Sequence, residues 1–222
     1  MYSINKNEVL RYLGYKGQVL SDDISSAIDE MSELALSVCS PLYTHILSEI
    51  TETPQGLQLS GTNIILTGND IKKHLTGAKK CITLACTLGA GFETTLLRLQ
   101  AKSITKSIIF DAVGTAFIEE FADNVEEKLL LPFISEGYFS KFRYSPGYGD
   151  LPLELEKDIV NTLQCQKKIG LTFTDTNILI PRKSITSFTG IFDIPQKKAD
   201  SKCELCNNKD NCKMRKDGNI CD

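Results

Sequence analysis

Apolar positions recur at helical spacing along parts of this chain and alternate or run together along others. Val9, Leu10 and Leu13 mark one face of a short helix over 5–14. Ser21-Asp22-Asp23 caps a longer helix whose apolar face is Ile24, Ile28, Met31, Leu34 and Val38, and Pro41 ends it. Antiparallel strands are predicted over 43–50 and 57–66, joined by a turn at Thr53-Pro54-Gln55-Gly56 and broken near Gly61. Gly68-Asn69-Asp70 caps a short helix through Leu75. The stretch from Lys80 to Leu88 is nearly continuous in apolar residues, as a strand buried on both faces should be. Gly89 and Gly91 then break the chain before a helix over 92–99.

The longest pattern covers 104–130, where Ile108, Ala112 and Ala116 continue into Glu119, Asp123 and Glu126, an acidic stripe extending an apolar one. Alternation predicts a strand over 137–145. Asp150 caps a following helix that carries Pro152 in its first turn and runs to about Leu163. Closing strands are read over 171–173, 178–180 and 184–193. Together these elements predict an α+β fold with a twisted antiparallel sheet flanked by helices over 1–195, followed by a short Cys-rich tail over 196–222.

A hydrophobic fraction of 41% over 222 residues is enough for a core, and a net charge of −3 offers no basic footprint for nucleic acid. No apolar run reaches bilayer length, and the N-terminus has no charged segment leading into an apolar one. A cytoplasmic protein with no membrane partner is expected. The Gly89–Gly91 turn matches neither GxGxxG nor GxxxxGK[ST], so close packing is expected there rather than phosphate binding. His45 and His74 are the two histidines; His74 reads as an exposed helix residue and His45 as a strand residue without a special role.

Eight cysteines fall into two groups. Cys39, Cys81, Cys86 and Cys165 sit in apolar sequence and read as small buried hydrophobes. Cys203, Cys206, Cys212 and Cys221 crowd the tail as C-x2-C-x5-C-x8-C. In a chain without an export signal this favours a metal over disulfides. Zinc and an iron–sulfur cluster both suit four thiolates, and the spacing does not choose between them.

The candidate chemistry lies in 141–150. Arg143 offers a rigid fork of donors to a carboxylate, and Tyr148 offers a ring face and a hydroxyl. Pro146 biases Ser145 toward an extended backbone, and Gly147 permits positive φ or close approach of a ligand. These parts suit a small zwitterion bearing a flat group; a Pro-Gly turn beside a surface arginine is spelled with the same residues.

The segment Arg143-x-Ser145-Pro146-Gly147-Tyr148, followed by a helix with Glu156-Lys157, resembles the S-adenosylmethionine-binding motif of the activation domain of cobalamin-dependent methionine synthase. That motif reads Arg-x-Ala-Pro-Gly-Tyr, so Ser145 stands at the alanine position. Phe117-Ile118-Glu119-Glu120-Phe121-Ala122 is similar to the family helix whose glutamate faces the ligand, which gives that role to Glu119. Glu8-Val9-Leu10-Arg11-Tyr12-Leu13-Gly14-Tyr15 and Thr83-Leu84-Ala85-Cys86-Thr87-Leu88-Gly89 look like free-standing members, and the resemblance covers roughly 1–194.

The resemblance implies that Arg143 pairs with the methionyl carboxylate, that the backbone at Ser145 and Gly147 contacts the ligand, and that Tyr148 lines its pocket. It further implies reductive methylation of cob(II)alamin. The chain lacks the family's D-x-H-x-x-G cobalamin signature, since Lys72 stands at the aspartate position of Lys72-x-His74-x-x-Gly77. Cobalamin would therefore be carried by a separate methionine synthase or another corrinoid protein, with an electron donor such as flavodoxin or ferredoxin. The chain departs from the family in having no tyrosine after Ile194, where known members use a pair. Two other readings stay open: a reactivase for a different corrinoid methyltransferase with a metal-bearing tail, and a docking module that no longer binds S-adenosylmethionine.

Overall fold

Local signals set the first element boundaries. Asn5 accepts the Asn7 N–H at 2.9 Å to cap α1 (Lys6–Tyr12), and Ser21 accepts the Ile24 N–H to cap α2 (Asp22–Val38). The computed structural model describes residues 2–196. Next come β1 (Leu42–Glu52), β2 (Leu57–Leu59), β3 (Ile65–Leu66), α3 (Asn69–Leu75), β4 (Ala78–Thr87), α4 (Ala90–Lys102) and α5 (Ile104–Ser135). The chain continues through β5 (Phe139–Ser140), α6 (Leu155–Thr162), α7 (Cys165–Ile169), β6 (Thr172–Phe173), β7 (Leu179–Ile180) and β8 (Ser184–Phe192).

Six strands form one sheet in the order β3-β2-β1-β4-β8-β5, and β6 pairs with β7 separately. Antiparallel registers set Ile50 opposite Leu59, Leu57 opposite Leu66 and Phe139 opposite Phe192. This is the expected α+β architecture, an antiparallel sheet with helices. Among the described residues, no helix is long and apolar enough to cross a membrane.

The chain divides into two compact units. The first comprises the chain through Ile46, Leu84–Leu131 and Glu156–Thr186. Its core includes Ile28, Met31, Phe92, Phe110 and Phe117, all fully buried or nearly so. Phe92 and Phe110 stack face to face with centroids 4.5 Å apart and planes 8° from parallel. Gly91 allows α4 to approach the end of α2, because a Cβ there would collide with the Val38 carbonyl. The turn thus serves packing, as its sequence suggested.

Gly114, inside α5, leaves room for the Phe92 ring, which occupies the place of a Cβ. Alanine at 114 would gain about 1 kcal/mol of helix propensity. Displacing a stacked, fully buried ring from a packed core costs up to about 3 kcal/mol. The clash should win, so Gly114→Ala is expected to lower unfolding stability by about 2 kcal/mol in urea titration. A stability gain would show that the core relaxes around the added methyl.

Among the described residues, the second unit comprises Leu47–Thr83, Pro132–Leu155 and 187–196. Its core gathers Leu59, Ile64, Leu66, Ile71, Leu75, Phe188 and Phe192. Gly190 lies under Leu75, whose Cδ2 would be 2.8 Å from a Cβ there. Cys81, Cys86 and Cys165 are buried free thiols as expected, whereas Cys39 is only partly covered. Burial pushes the Cys81 and Cys165 thiols up to about 12, which removes thiolate chemistry at both.

Several expectations need correction. The strand read over 137–145 is reduced to Phe139–Ser140, with a separate antiparallel bridge between Tyr144 and Phe188. Its alternation reflects a segment anchored at two points, not a continuous ladder. By contrast, the break expected near Gly61 is present: the 57–66 stretch forms two strands around the turn at Ser60–Thr62. Ile108 is 57% exposed, because α5 buries a broad face through Ile109, Ala112, Val113 and Ala116. Asp150 does not cap α6, which begins five residues later. His74 is not exposed; it is 7% accessible, sharing the inward face of α3 with Ile71 and Leu75.

Candidate functional site

The Arg143–Tyr148 motif is a compact loop in the second unit. It enters from the Tyr144–Phe188 bridge, where each backbone N–H donates to the other's carbonyl at 2.9 and 2.8 Å. Tyr148 N–H donates to the Ser145 carbonyl at 3.1 Å, and Leu151 N–H to the Tyr148 carbonyl at 2.9 Å. Gly147 sits between these turns at φ +85°, a conformation that other residues adopt only with strain. Its own N–H donates to the Leu151 carbonyl at 2.9 Å. A contact from Gly147 to a ligand would therefore run through its Cα or carbonyl. A Cβ there would meet only Leu153 Cδ1 at 3.5 Å, so the surface above Gly147 is open.

Arg143 and Ser145 are half-buried, Tyr144 and Pro146 are buried, and Tyr148 is 54% exposed. The Tyr148 ring stands edge-on to Tyr144, with centroids 5.9 Å apart and planes at 69°. Arg143, Ser145, Gly147 and Tyr148 thus lie together on one ordered loop. Its chemistry is a guanidinium, an accessible ring and open backbone, which fits a ligand combining a carboxylate with a flat heterocycle.

Glu119 belongs to the first unit, half-buried on α5. Burial first, and then the negative charge of Glu119, raise the Tyr12 phenol above its ordinary value. The Cys203, Cys206, Cys212 and Cys221 metal set lies outside the described residues. Among the described residues, no group of three or more His, Cys, Asp or Glu side chains is placed to hold a metal.

The first unit also carries a cavity of about 540 Å³ lined by Tyr12, Leu96, Ser107, Asp111, Thr115 and Arg182, among others. Its charged groups are already engaged. Asp111 pairs with Lys183 at 3.0 Å, and the Arg182 side chain reaches Glu93 at 3.4 Å. None of the motif residues lines it.

No known family model and no curated protein matches the sequence. The fold, however, has a solved counterpart. The chain is similar to the MetH reactivation domain in its crystal structure bound to AdoHcy, with a TM-score of 0.68 at 15% identity. The match covers 98% of this chain and 82% of that one. At that identity the likeness establishes a common fold.

Four residues that support the loop escaped the sequence reading. Tyr144 fastens the loop to β8. Gly149, at φ +52°, is pressed so closely against Asp70 and the Tyr144 hydroxyl that a Cβ would strike both. Asp150 accepts the N–H groups of Asn69 and Asp70 at 2.7 and 3.0 Å, and those bonds hold its carboxyl below the usual range. His74 contacts the Phe142 carbonyl at 2.8 Å through Nε2. For His74 the signal was present: Ile71, His74 and Leu75 stand at i, i+3 and i+4, the spacing of a buried helical face.

Proposed function

We propose that this chain binds S-adenosylmethionine at the Arg143–Tyr148 loop and supports reductive methylation of cob(II)alamin on a separate cobalamin-dependent methionine synthase. The observation that carries the reading is the ordered loop itself. It combines a half-buried arginine, an accessible tyrosine and open backbone at Gly147, on a fold shared with a domain crystallised with AdoHcy. S-adenosylmethionine supplies the methyl group; the residues of this chain bind and orient it.

The guanidinium of Arg143 pairs with the methionyl carboxylate, a charge-assisted contact that fixes one end of the ligand. The Tyr148 ring packs against the ligand's flat portion. Gly147 admits it close to the main chain. Holding the methyl donor in one pose is the contribution that positioning can make to such a transfer. The corrinoid is carried by the partner, and an electron comes from a donor such as flavodoxin or ferredoxin.

Calorimetric titration of the purified protein with S-adenosylmethionine tests this directly. Saturable binding is expected, and Arg143→Ala should weaken it by about 2 kcal/mol or more, roughly 30-fold. Unchanged affinity in the variant would remove the arginine from the site. Absence of binding by the wild-type protein would leave a docking module.

A further inference from the structure

α3 starts at Gly68, which has no side chain to cap the helix and lies at φ +122°. The missing cap arrives from the motif loop, as the Asp150 carboxylate on the Asn69 and Asp70 N–H groups. Both surfaces are shaped for this contact. A Cβ on Gly68 would lie 2.6 Å from Asp150 Oδ1, and one on Gly149 would run into the Asp70 carboxylate. One glycine on each side lets helix and loop lie flush.

The other end of α3 holds the beginning of the same segment. Lys141 Nζ donates to the His74 carbonyl at 2.8 Å, supplying a cation to the C-terminal end of the helix. The Phe142 carbonyl can only accept, so His74 Nε2–H donates to it at 2.8 Å. The His74 ring also packs against Phe142 and Tyr144, with centroids 4.6 and 5.2 Å away. Phe142 and Tyr144 are the two neighbours of Arg143, so a ring on either side of the arginine packs on one imidazole, which also bonds the Phe142 carbonyl. A helix of seven residues therefore binds the ten-residue segment 141–150 at both of its ends.

We propose that α3 is the positioning element of the ligand loop, with Asp150 and His74 as positioning residues that set the affinity for S-adenosylmethionine through Arg143. This rests on the function proposed above. A side chain that must meet a carboxylate in one geometry needs its own main chain fixed, and contacts behind the binding residues supply that.

The test is a double-variant cycle on the full chain, read by calorimetry with S-adenosylmethionine and S-adenosylhomocysteine. Asp150 is exposed, so Asp150→Ala should fold; it should bind both ligands about tenfold more weakly. Asp150→Asn keeps an oxygen acceptor for the helix N–H groups and should recover most of that loss. In the Arg143→Ala background, Asp150→Ala should cost almost nothing further, because its effect acts through the arginine. Affinity of Asp150→Ala within twofold of wild type, or losses that multiply in the double variant, would overturn the proposal.

Amide hydrogen exchange of the 141–151 peptide provides a readout independent of ligand. It should accelerate in Asp150→Ala and in His74→Phe, which keeps a ring but deletes the bond to Phe142. If the wild-type protein takes up neither ligand, the binding function fails and exchange alone decides whether α3 holds the loop. Unchanged exchange would show that it does not.

Discussion

Replacing Glu156 with glutamine should stabilise the protein, and the gain should grow as pH rises. Glu156 lies in α6, only 5% accessible, and Thr186 donates to it at 2.7 Å. Burial pushes its carboxyl up to about 7, and the Thr186 hydroxyl offsets only part of that shift. The folded pKa exceeds the unfolded one, so the neutral acid stabilises the fold fully below about pH 4.5. That contribution is lost as pH rises to about 7, because the unfolded chain releases the proton first. A shift of this size corresponds to about 3 kcal/mol at pH 8. Glutamine is neutral throughout and can still engage the threonine. Wild type and Glu156→Gln should therefore be nearly matched at pH 4.5 and differ by about 3 kcal/mol at pH 8, read by urea unfolding across that range. A difference that stays flat with pH would mean that the carboxyl is ionised in the fold at little cost.

The second large effect has the opposite sign. His74 is buried against Phe142 and Tyr144, and burial holds its imidazole down at about 4. The nearby Lys141 charge acts in the same direction, whereas the Phe142 carbonyl opposes it. Here the folded pKa lies below the unfolded one. The stability is intact above about pH 6.5 and is lost as pH falls toward 4, reaching about 3 kcal/mol. His74→Gln keeps an N–H donor without a titrating ring. Its stability at pH 7 should be lower than wild type, since the ring contacts go, but its decline between pH 6.5 and 4 should be shallower by about 3 kcal/mol. The slope is the informative quantity. If both proteins lose stability in parallel, other groups drive the acid transition.

Much of the fold was written locally. The period of α2, the apolar run of β4 and the length of α5 each carry enough repeats for the pattern to exceed chance, and the strands of 43–66 are announced by their turn residues. The motif loop was legible as a turn, because Pro146 and Gly147 fix it from within. What held the loop was not. Asp150 is recognisable as a capping residue, but a carboxylate cannot show in sequence whether it caps the next helix or one that ended 75 residues earlier. His74 follows two lysines, and their solvated character obscured the i, i+3, i+4 face on which it stands. Glu119 illustrates the remaining limit: position on a helix is readable, but the company of a charge depends on how separate stretches of chain fold.

The ties between α3 and the loop also bear on how the protein comes into being. Asp150 meets partners 80 and 81 residues away, and the His74 contacts join residues 67 and 68 apart. Contacts of such long sequence separation carry the entropy of closing a large loop, and in folding they are completed only once the intervening chain is in place. A nascent chain exposing the Arg-to-Tyr motif thus holds the right letters in a segment without a fixed shape. On the function proposed above, recognition of S-adenosylmethionine would arrive late in folding, so ligand binding would report that α3 and the loop have met.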